Sequence, residues 1–239
     1  MHVDLFTIEQ RFCGPPKSGN GGYTCGQMAA HLPGTVRARL KAPPPLNTSL
    51  RLESYETEAR LYNGTVLIGE AHCSVLNLEP PPLPNFNEAG KASRSYTGFV
   101  THAFPGCFVC GPDRLPGDGL RIFPGQVDAT STLAAPWVPD STLTDSTGQV
   151  KSEFLWSALD CTGAFSVLPE SGTTIIVLGE LCVHILGAIK AGERCVVIGW
   201  PLGIDGRKRL AGSAVAGSNG QLVAIARAVW IEVPAKTWA

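Results

Sequence analysis

Residues 151–166, with the sequence KSEFLWSALDCTGAFS, are apolar on almost every side when plotted at 100° per residue. A helix without a polar face is a buried helix, so the pattern predicts one here. Asp160 lies in the middle of this segment. Burying its carboxylate costs on the order of several kcal/mol unless the group is paired, hydrogen-bonded or protonated. Asp160 is therefore either held by fixed donors or kept for chemistry.

A second pattern occurs twice. NGTVLIGEAHCSV (63–75) and NGQLVAIARAVWI (219–231) both begin with Asn-Gly and continue into a run typical of a β-strand. Asn-Gly favours tight hairpin turns, because both residues tolerate a positive φ. The two segments predict hairpins at equivalent places in two related halves.

The segments upstream of these hairpins share an order as well. GNGGYTCGQMAAHLPG (19–34) is a short helix candidate opened by Asn20, and 151–165 is its counterpart. Strand candidates follow each helix, at 35–42 and 48–62 in the first half and at 173–186, 193–203 and 208–217 in the second. We predict an α+β fold in which a curved antiparallel sheet wraps around one buried helix, present twice. Chance similarity of two β-rich segments is the alternative.

The sharpest change in composition is at 79–95, EPPPLPNFNEAGKASRS, which is rich in Pro, Asn and small polar residues. This segment is interpreted as a linker. The predicted division is a first half at 1–78, a linker at 79–96 and a second half at 97–239.

Composition narrows the class of protein. The 239 residues are 44% hydrophobic and 16% charged, with a formal net charge of −1. This balance does not favour a nucleic-acid or anionic-membrane surface. We expect no signal peptide at the start MHVDLFTIEQ and no membrane span, and we interpret the eight cysteines as reduced. The expected location is the cytoplasm.

Several stretches resemble a known family when taken in order. GNGGYTCG resembles the Gly-rich turn that opens a hotdog helix, and LKAPPPLNTSLRLE (40–53) resembles the strand, proline bend and strand after it. FPGCFVCGPDRLPGDGLRIFPG (104–125) and LWSALDCTGAF resemble the second half of bacterial thioesterase-like proteins. Over nearly its whole length the chain resembles the double hotdog acyl-CoA thioesterases. The resemblance implies a tandem hotdog fold and hydrolysis of acyl thioesters.

Thioester hydrolysis needs donors for the developing oxyanion. Unpaired peptide N–H groups at a helix N-terminus suit this task, and glycines let a ligand approach the backbone closely. Asn20, Gly21 and Gly22 are therefore catalytic candidates, with Tyr23 of the same turn as a substrate contact. The alternative is that Asn20 caps the helix and the glycines only shape the turn.

Hydrolysis also needs a group that activates water. In the resembling thioesterases an acid on the hotdog helix does this, and Asp160 matches that place. Glu153 lies near the helix start, where an acid complements the dipole. Asp160 is our candidate general base. Ser157, three residues earlier on nearly the same face, is a candidate to orient Asp160 and to contact the substrate. The alternative is that Asp160 bonds a neighbour and joins the two halves.

Two further motifs have simpler interpretations. The basic cluster DGRKRL (205–210) offers Arg207 and Lys208 to the phosphates of coenzyme A, or it is a solvated hairpin tip. Cys107 and Cys110 form a C-x-x-C pair without a second pair, so a structural loop is favoured over a metal or redox site.

The function predicted from the sequence is therefore thioester hydrolysis without a metal or other cofactor. The expected partner is an acyl-CoA or a related acyl thioester; nucleic acid and membrane are not expected. Exposed sheet edges leave room for a homo-oligomer. A non-catalytic acyl-CoA or lipid-binding module is the main alternative, and a hydratase or dehydratase of the same fold is another.

Overall fold

A computed structural model describes residues 1–170 and 172–237. The predicted second half, 97–239, includes Ser171, Trp238 and Ala239, which lie outside the described residues. The described strands are β1 (His2–Thr7), β2 (Val36–Leu40), β3 (Ser49–Ser54), β4 (Glu58–Asn63), β5 (Val66–Cys73), β6 (Gly125–Gln126), β7 (Leu133–Trp137), β8 (Thr174–Ile185), β9 (Cys195–Asp205), β10 (Lys208–Ala216) and β11 (Leu222–Pro234).

All of these strands belong to one antiparallel sheet with the order β1-β3-β4-β5-β2-β8-β11-β10-β9-β7-β6. The first five and the last six strands of this order come from different parts of the chain. They meet where β2 pairs with β8, with Val36 opposite Val183 and Arg39 opposite Glu180. Arg39 and Glu180 also form an ion pair across this junction.

The α-helices among the described residues are α1 (Gly21–Ala29), α2 (Phe86–Ala92) and α3 (Ser152–Phe165). α1 and α3 are mostly buried and pack against each other at glycines of α1. A Cβ placed on Gly22 would lie 2.6 Å from the carbonyl oxygen of Trp156, and one on Gly26 would lie 2.6 Å from Cα of Glu153. Only glycine permits this close approach.

β9 shows how the sheet is covered on both faces. Alternate side chains of a strand point to opposite faces. Cys195 and Val197 belong to the core that contains α1 and α3, whereas Val196, Ile198 and Trp200 belong to a second apolar cluster with Ala89 and Ala92 of α2. The run CVVIGW is therefore buried throughout.

The strands β8, β9, β10 and β11 and the helix at 151–165 agree closely with the sequence prediction, whereas β1, β6 and β7 lie outside the predicted strand segments. The segment 48–62 differs: it forms two strands, β3 and β4, because the chain reverses at residues 55–57. The Asn-Gly segments do form turns, with φ of 58° at Gly64 and 78° at Gly220. The predicted linker contains α2, whose N-terminus is closed by a capping box between Asn85 and Glu88.

Candidate active site

Asp160 lies on α3 at the contact with the N-terminus of α1, and it is 2% exposed. Its Oδ2 accepts two hydrogen bonds, one from Asn20 Nδ2 and one from the Gly22 N–H, each 2.9 Å long. These donors come from a segment about 140 residues away in sequence. One oxygen of the buried carboxylate is therefore fixed by α1.

The other carboxylate oxygen has a different environment. In the described part of the chain, Oδ1 of Asp160 has no hydrogen-bond partner. Burial raises the pKa of Asp160 to about 7, and the hydrogen bonds from Gly22 and Asn20 act against this shift. A carboxyl group with such a pKa can accept a proton from water near neutral pH.

Asn20 connects the helix start to this carboxylate. It is the N-cap residue of α1, and its Oδ1 accepts a 2.9 Å hydrogen bond from the Tyr23 N–H. Its Nδ2 donates to Asp160 and also lies 4.0 Å from Sγ of Cys107. The capping role and the contact with Asp160 thus use opposite ends of one amide.

Gly21 and Gly22 differ in what their N–H groups do. The Gly22 N–H donates to Asp160. No acceptor of the Gly21 N–H is found among the described residues, and Gly21 lines a cavity that Asp160 also lines. Of the two glycines predicted to hold an oxyanion, Gly21 offers an unpaired donor, while the N–H of Gly22 is already paired with the carboxylate.

The cavity has a volume of about 780 Å³ and extends from the α1–α3 contact over the inner surface of β8 and β11. Its wall is largely apolar. Side chains that form this part of the wall include Leu40, Ala164, Phe165, Ile176, Leu178 and Trp230. Ligand pockets in proteins are commonly of this size and character, with a few polar groups that set orientation.

Tyr23 and Ser157, two of the predicted substrate contacts, are not among the described residues that line the cavity. The ring of Tyr23 stacks on Phe12, with ring centroids 4.4 Å apart, and burial raises its pKa to about 12. Ser157 donates its hydroxyl to the Glu153 carbonyl, 2.7 Å away on the same helix. Both side chains make their contacts inside the core, so neither is placed to touch a substrate in the cavity.

Arg207 and Lys208 lie at the exposed turn between β9 and β10. Nζ of Lys208 is 3.1 Å from Oδ2 of Asp205, which is also in this turn. Neither basic residue contributes to the cavity wall among the described residues. The geometry favours the hairpin-tip interpretation of this cluster.

Sequence reasoning missed a group of cysteines beside Asp160. Cys107 and Cys110 form the C-x-x-C pair, and α3 brings Cys161 next to them. His102 completes the group, with Nε2 3.3 Å from Sγ of Cys110, and burial lowers the pKa of His102. All four residues line the cavity. No local motif could have indicated this group, because Cys161 is 54 positions from Cys107 in the sequence.

Comparison with known proteins identifies the architecture. No protein-family model matches the sequence, and no curated protein sequence matches it. Solved structures do match: a hot dog fold protein of Alicyclobacillus acidocaldarius is 11% identical, with a TM-score of 0.56, over 97% of this chain and 93% of that one. The protein has the hotdog fold.

Two other similar solved structures have tesB names, and one of these names includes an activity. The tesB protein of Mycobacterium avium subsp. paratuberculosis matches with a TM-score of 0.63 and 12% identity, over 97% of this chain and 93% of that one. The acyl-CoA thioesterase II TesB2 of Mycobacterium marinum has a TM-score of 0.58 and 11% identity, with the same two coverages. The hotdog fold that the sequence resemblance implied is confirmed. Among the described residues, no helix has the length and apolar character required to cross a membrane.

Proposed function

We propose that this hotdog protein hydrolyses an acyl thioester, with Asp160 as the general base. The observation that carries the proposal is the carboxylate itself: Oδ2 is held by Asn20 and Gly22, and Oδ1 is left without a protein partner on a residue that lines an apolar cavity. The names of the neighbouring structures support the same class of reaction.

The proposed reaction uses groups at the α1–α3 contact. A water molecule bound to Oδ1 of Asp160 attacks the thioester carbonyl carbon and gives its proton to the carboxylate. The Gly21 N–H, at the positive end of α1, donates to the carbonyl oxygen as negative charge develops on it. Collapse of the tetrahedral intermediate breaks the carbon–sulfur bond, and the leaving thiolate takes the proton from Asp160.

The role of Gly22 follows from its hydrogen bond. Because its N–H donates to Oδ2, Gly22 positions the base, as does Asn20. Because one carboxylate oxygen is fixed, the base is held in one orientation, and less motion is lost when the transition state is reached. The oxyanion contact proposed for this turn is thus limited to Gly21.

In this proposal the acyl group binds in the apolar cavity. The thiol that carries it is coenzyme A. The acyl chain would lie along the wall that contains Leu178 and Trp230. We also infer that residues 1–78 and 97–239 are two hotdog halves joined by the linker 79–96. The packing of α1 against β2 and β5, and of α3 against β9 and β10, supports this division.

The test is a thiol-release assay over acyl-CoAs from acetyl to palmitoyl, with benzoyl- and phenylacetyl-CoA. Asp160→Asn keeps the shape of the side chain and should lower turnover by about 10²-fold or more. Asp128→Asn, the same change at an exposed aspartate, is the matched control and should leave turnover unchanged.

Absence of turnover with every thioester, together with thermal stabilisation by one of them, would contradict hydrolysis and support a binding module. Equal turnover by Asp160→Asn and the unmodified protein would contradict the role of Asp160.

A further inference from the structure

The three cysteines beside the candidate active site form a compact group of sulfur atoms. The Sγ atoms of Cys107, Cys110 and Cys161 all lie within 4.8 Å of one another, and those of Cys107 and Cys161 are 3.7 Å apart. Each residue is buried. Two of the sulfurs come from a loop and the third comes from α3, so the group is a tertiary feature rather than a local motif.

These distances match those of a thiolate metal site. Zinc–sulfur bonds are about 2.3 Å long in a tetrahedral arrangement, which separates two sulfur ligands by about 3.8 Å. The Cys107–Cys161 separation of 3.7 Å is already close to this value. An ion can therefore be accommodated with little movement of these two side chains.

The loop around Cys107 is folded as a tight turn that supports its sulfur. The backbone N–H groups of Val109 and Cys110 donate to Cys107 Sγ, and the Gly111 N–H donates to the Cys107 carbonyl at 2.9 Å. A Cβ on Gly111 would lie 2.4 Å from the Pro105 carbonyl oxygen, so this turn requires glycine. The N–H groups of Val109 and Cys110 in this turn thus support the Sγ atom of Cys107.

Side chains around the group add further donors. Nε2 of His102 is 3.3 Å from Cys110 Sγ, while its Nδ1 accepts a hydrogen bond from the Phe104 N–H. The neutral ring therefore carries its proton on Nε2 and donates it to the sulfur. Asn20 Nδ2 is 4.0 Å from Cys107 Sγ. Such donors stabilise metal-bound thiolates and fix their orientation.

We propose that Cys107, Cys110 and Cys161 bind one zinc ion, with the fourth ligand position open to the cavity. Three soft thiolates favour zinc over hard cations such as magnesium or calcium. Each thiol releases its proton to solvent when it binds the ion, which forms three zinc–sulfur bonds. All three cysteines line the cavity, so water or another small ligand can reach the fourth position.

The proposed hydrolysis uses no metal, so it does not depend on zinc at this site. A zinc ion here would join the loop at 101–110 to α3 one residue after Asp160. It would hold one wall of the cavity in place. The earlier expectation of a structural loop without metal depended on the lack of a second cysteine pair, and the structure supplies Cys161 instead.

The first measurement is the zinc content of the full chain, purified with a reductant, supplied with zinc and desalted. Elemental analysis should find about one zinc per chain. Cys107→Ser, Cys110→Ser and Cys161→Ser should each lose most of it. Cys73→Ser, at a half-buried cysteine outside the group, is the matched control and should keep it. Asp160→Asn should also keep it, so failure of the hydrolysis proposal would be recognised separately.

A spectroscopic measurement does not depend on whether the serine variants fold. Cobalt loaded into the unmodified protein should give intense thiolate-to-metal charge-transfer absorption and the visible bands of tetrahedral cobalt. A chain that is folded and reduced but retains no zinc and shows no such bands would overturn the proposal. Equal zinc content in Cys161→Ser and Cys73→Ser would also overturn it, as would a Cys107–Cys161 disulfide that persists under reductant.

Discussion

Asn20 donates a 2.9 Å hydrogen bond from Nδ2 to Oδ2 of Asp160, and with its other amide atom it caps α1. The buried acid on one helix is thus held by the first residue before the other helix. This relationship bears on the question raised by an acid within an apolar helix: one oxygen of Asp160 has fixed donors, and the other has no hydrogen-bond partner among the described residues.

The two functions of Asn20 can be separated by substitution. Serine is also a good N-cap residue, so Asn20→Ser should keep α1 capped while it removes the donor to Asp160. We expect the kcat/KM for acyl-CoA to fall about 10-fold or more, since a hydrogen bond to a charged group is worth about 1.5–3 kcal/mol. Asn20→Ala should lose the same activity and, in urea unfolding, about 0.5–2 kcal/mol of stability. Wild-type activity in the serine variant would contradict the positioning role.

Because α1 and α3 are in close contact at Gly22, we expect a larger side chain at this position to lower the stability of the protein strongly. An alanine Cβ there would lie 2.6 Å from Cβ of Asp160 and 2.6 Å from the Trp156 carbonyl oxygen. Gly22→Ala should destabilise the protein by about 1–3 kcal/mol or more, because backbone must move. Gly90→Ala is the control: it lies in α2 with open space around it and should stabilise by about 0.5–1 kcal/mol. Chemical denaturation of both variants tests this, and similar effects at the two sites would disprove it.

Ala164 offers a test of where the acyl chain lies. It lines the cavity four residues after Asp160, on the same face of α3. Ala164→Leu narrows the cavity and should lower kcat/KM for long acyl chains about 10-fold more than for acetyl-CoA. Ala191→Leu, at an exposed position, should leave the chain-length profile unchanged. A uniform loss across all chain lengths in Ala164→Leu would argue against this placement of the chain.

We expect Glu193 to make a pH-dependent contribution to the free energy of unfolding. Its carboxylate joins the loop between β8 and β9 to the β10–β11 turn by accepting hydrogen bonds from the Ser218 N–H at 3.0 Å and the Lys190 N–H at 3.2 Å. The Ser218 N–H lowers the pKa of Glu193 below its ordinary value of 4.5. Because the folded state favours the ionised form, this stabilisation is fully present above pH 4.5 and is lost as the pH falls through the lowered pKa.

The measurement is the denaturation midpoint of Glu193→Gln and of the unmodified protein at several pH values. The difference should be largest above pH 4.5 and should shrink below it. Glu56→Gln, at an exposed glutamate, is the control and should show little difference at any pH. A difference for Glu193→Gln that grows as the pH falls would contradict the assigned sign.

Local pattern predicted a large part of the fold. The four long strands of the second half and α3 follow directly from apolar periodicity and turn residues, which act over a few positions. The pattern did not reveal α2 inside a Pro-rich segment. α2 begins with a local capping box, but its stability comes from Ala89 and Ala92, which pack on side chains of β9 far along the chain.

The candidate site also has some features that follow from local sequence and others that depend on tertiary packing. The burial of Asp160 on an apolar helix, and the helix start at Asn20 and the glycines, can be inferred from the sequence because these properties depend on neighbouring residues alone. The contacts of Asn20 and Gly22 with Asp160, the packing of Tyr23 and Ser157 inside the core, and the meeting of Cys161 with Cys107 and Cys110 are visible only in the folded chain. The physical reason is that these contacts depend on the packing of α1 against α3 and of the 101–110 loop beside them. No spacing within one segment encodes that packing.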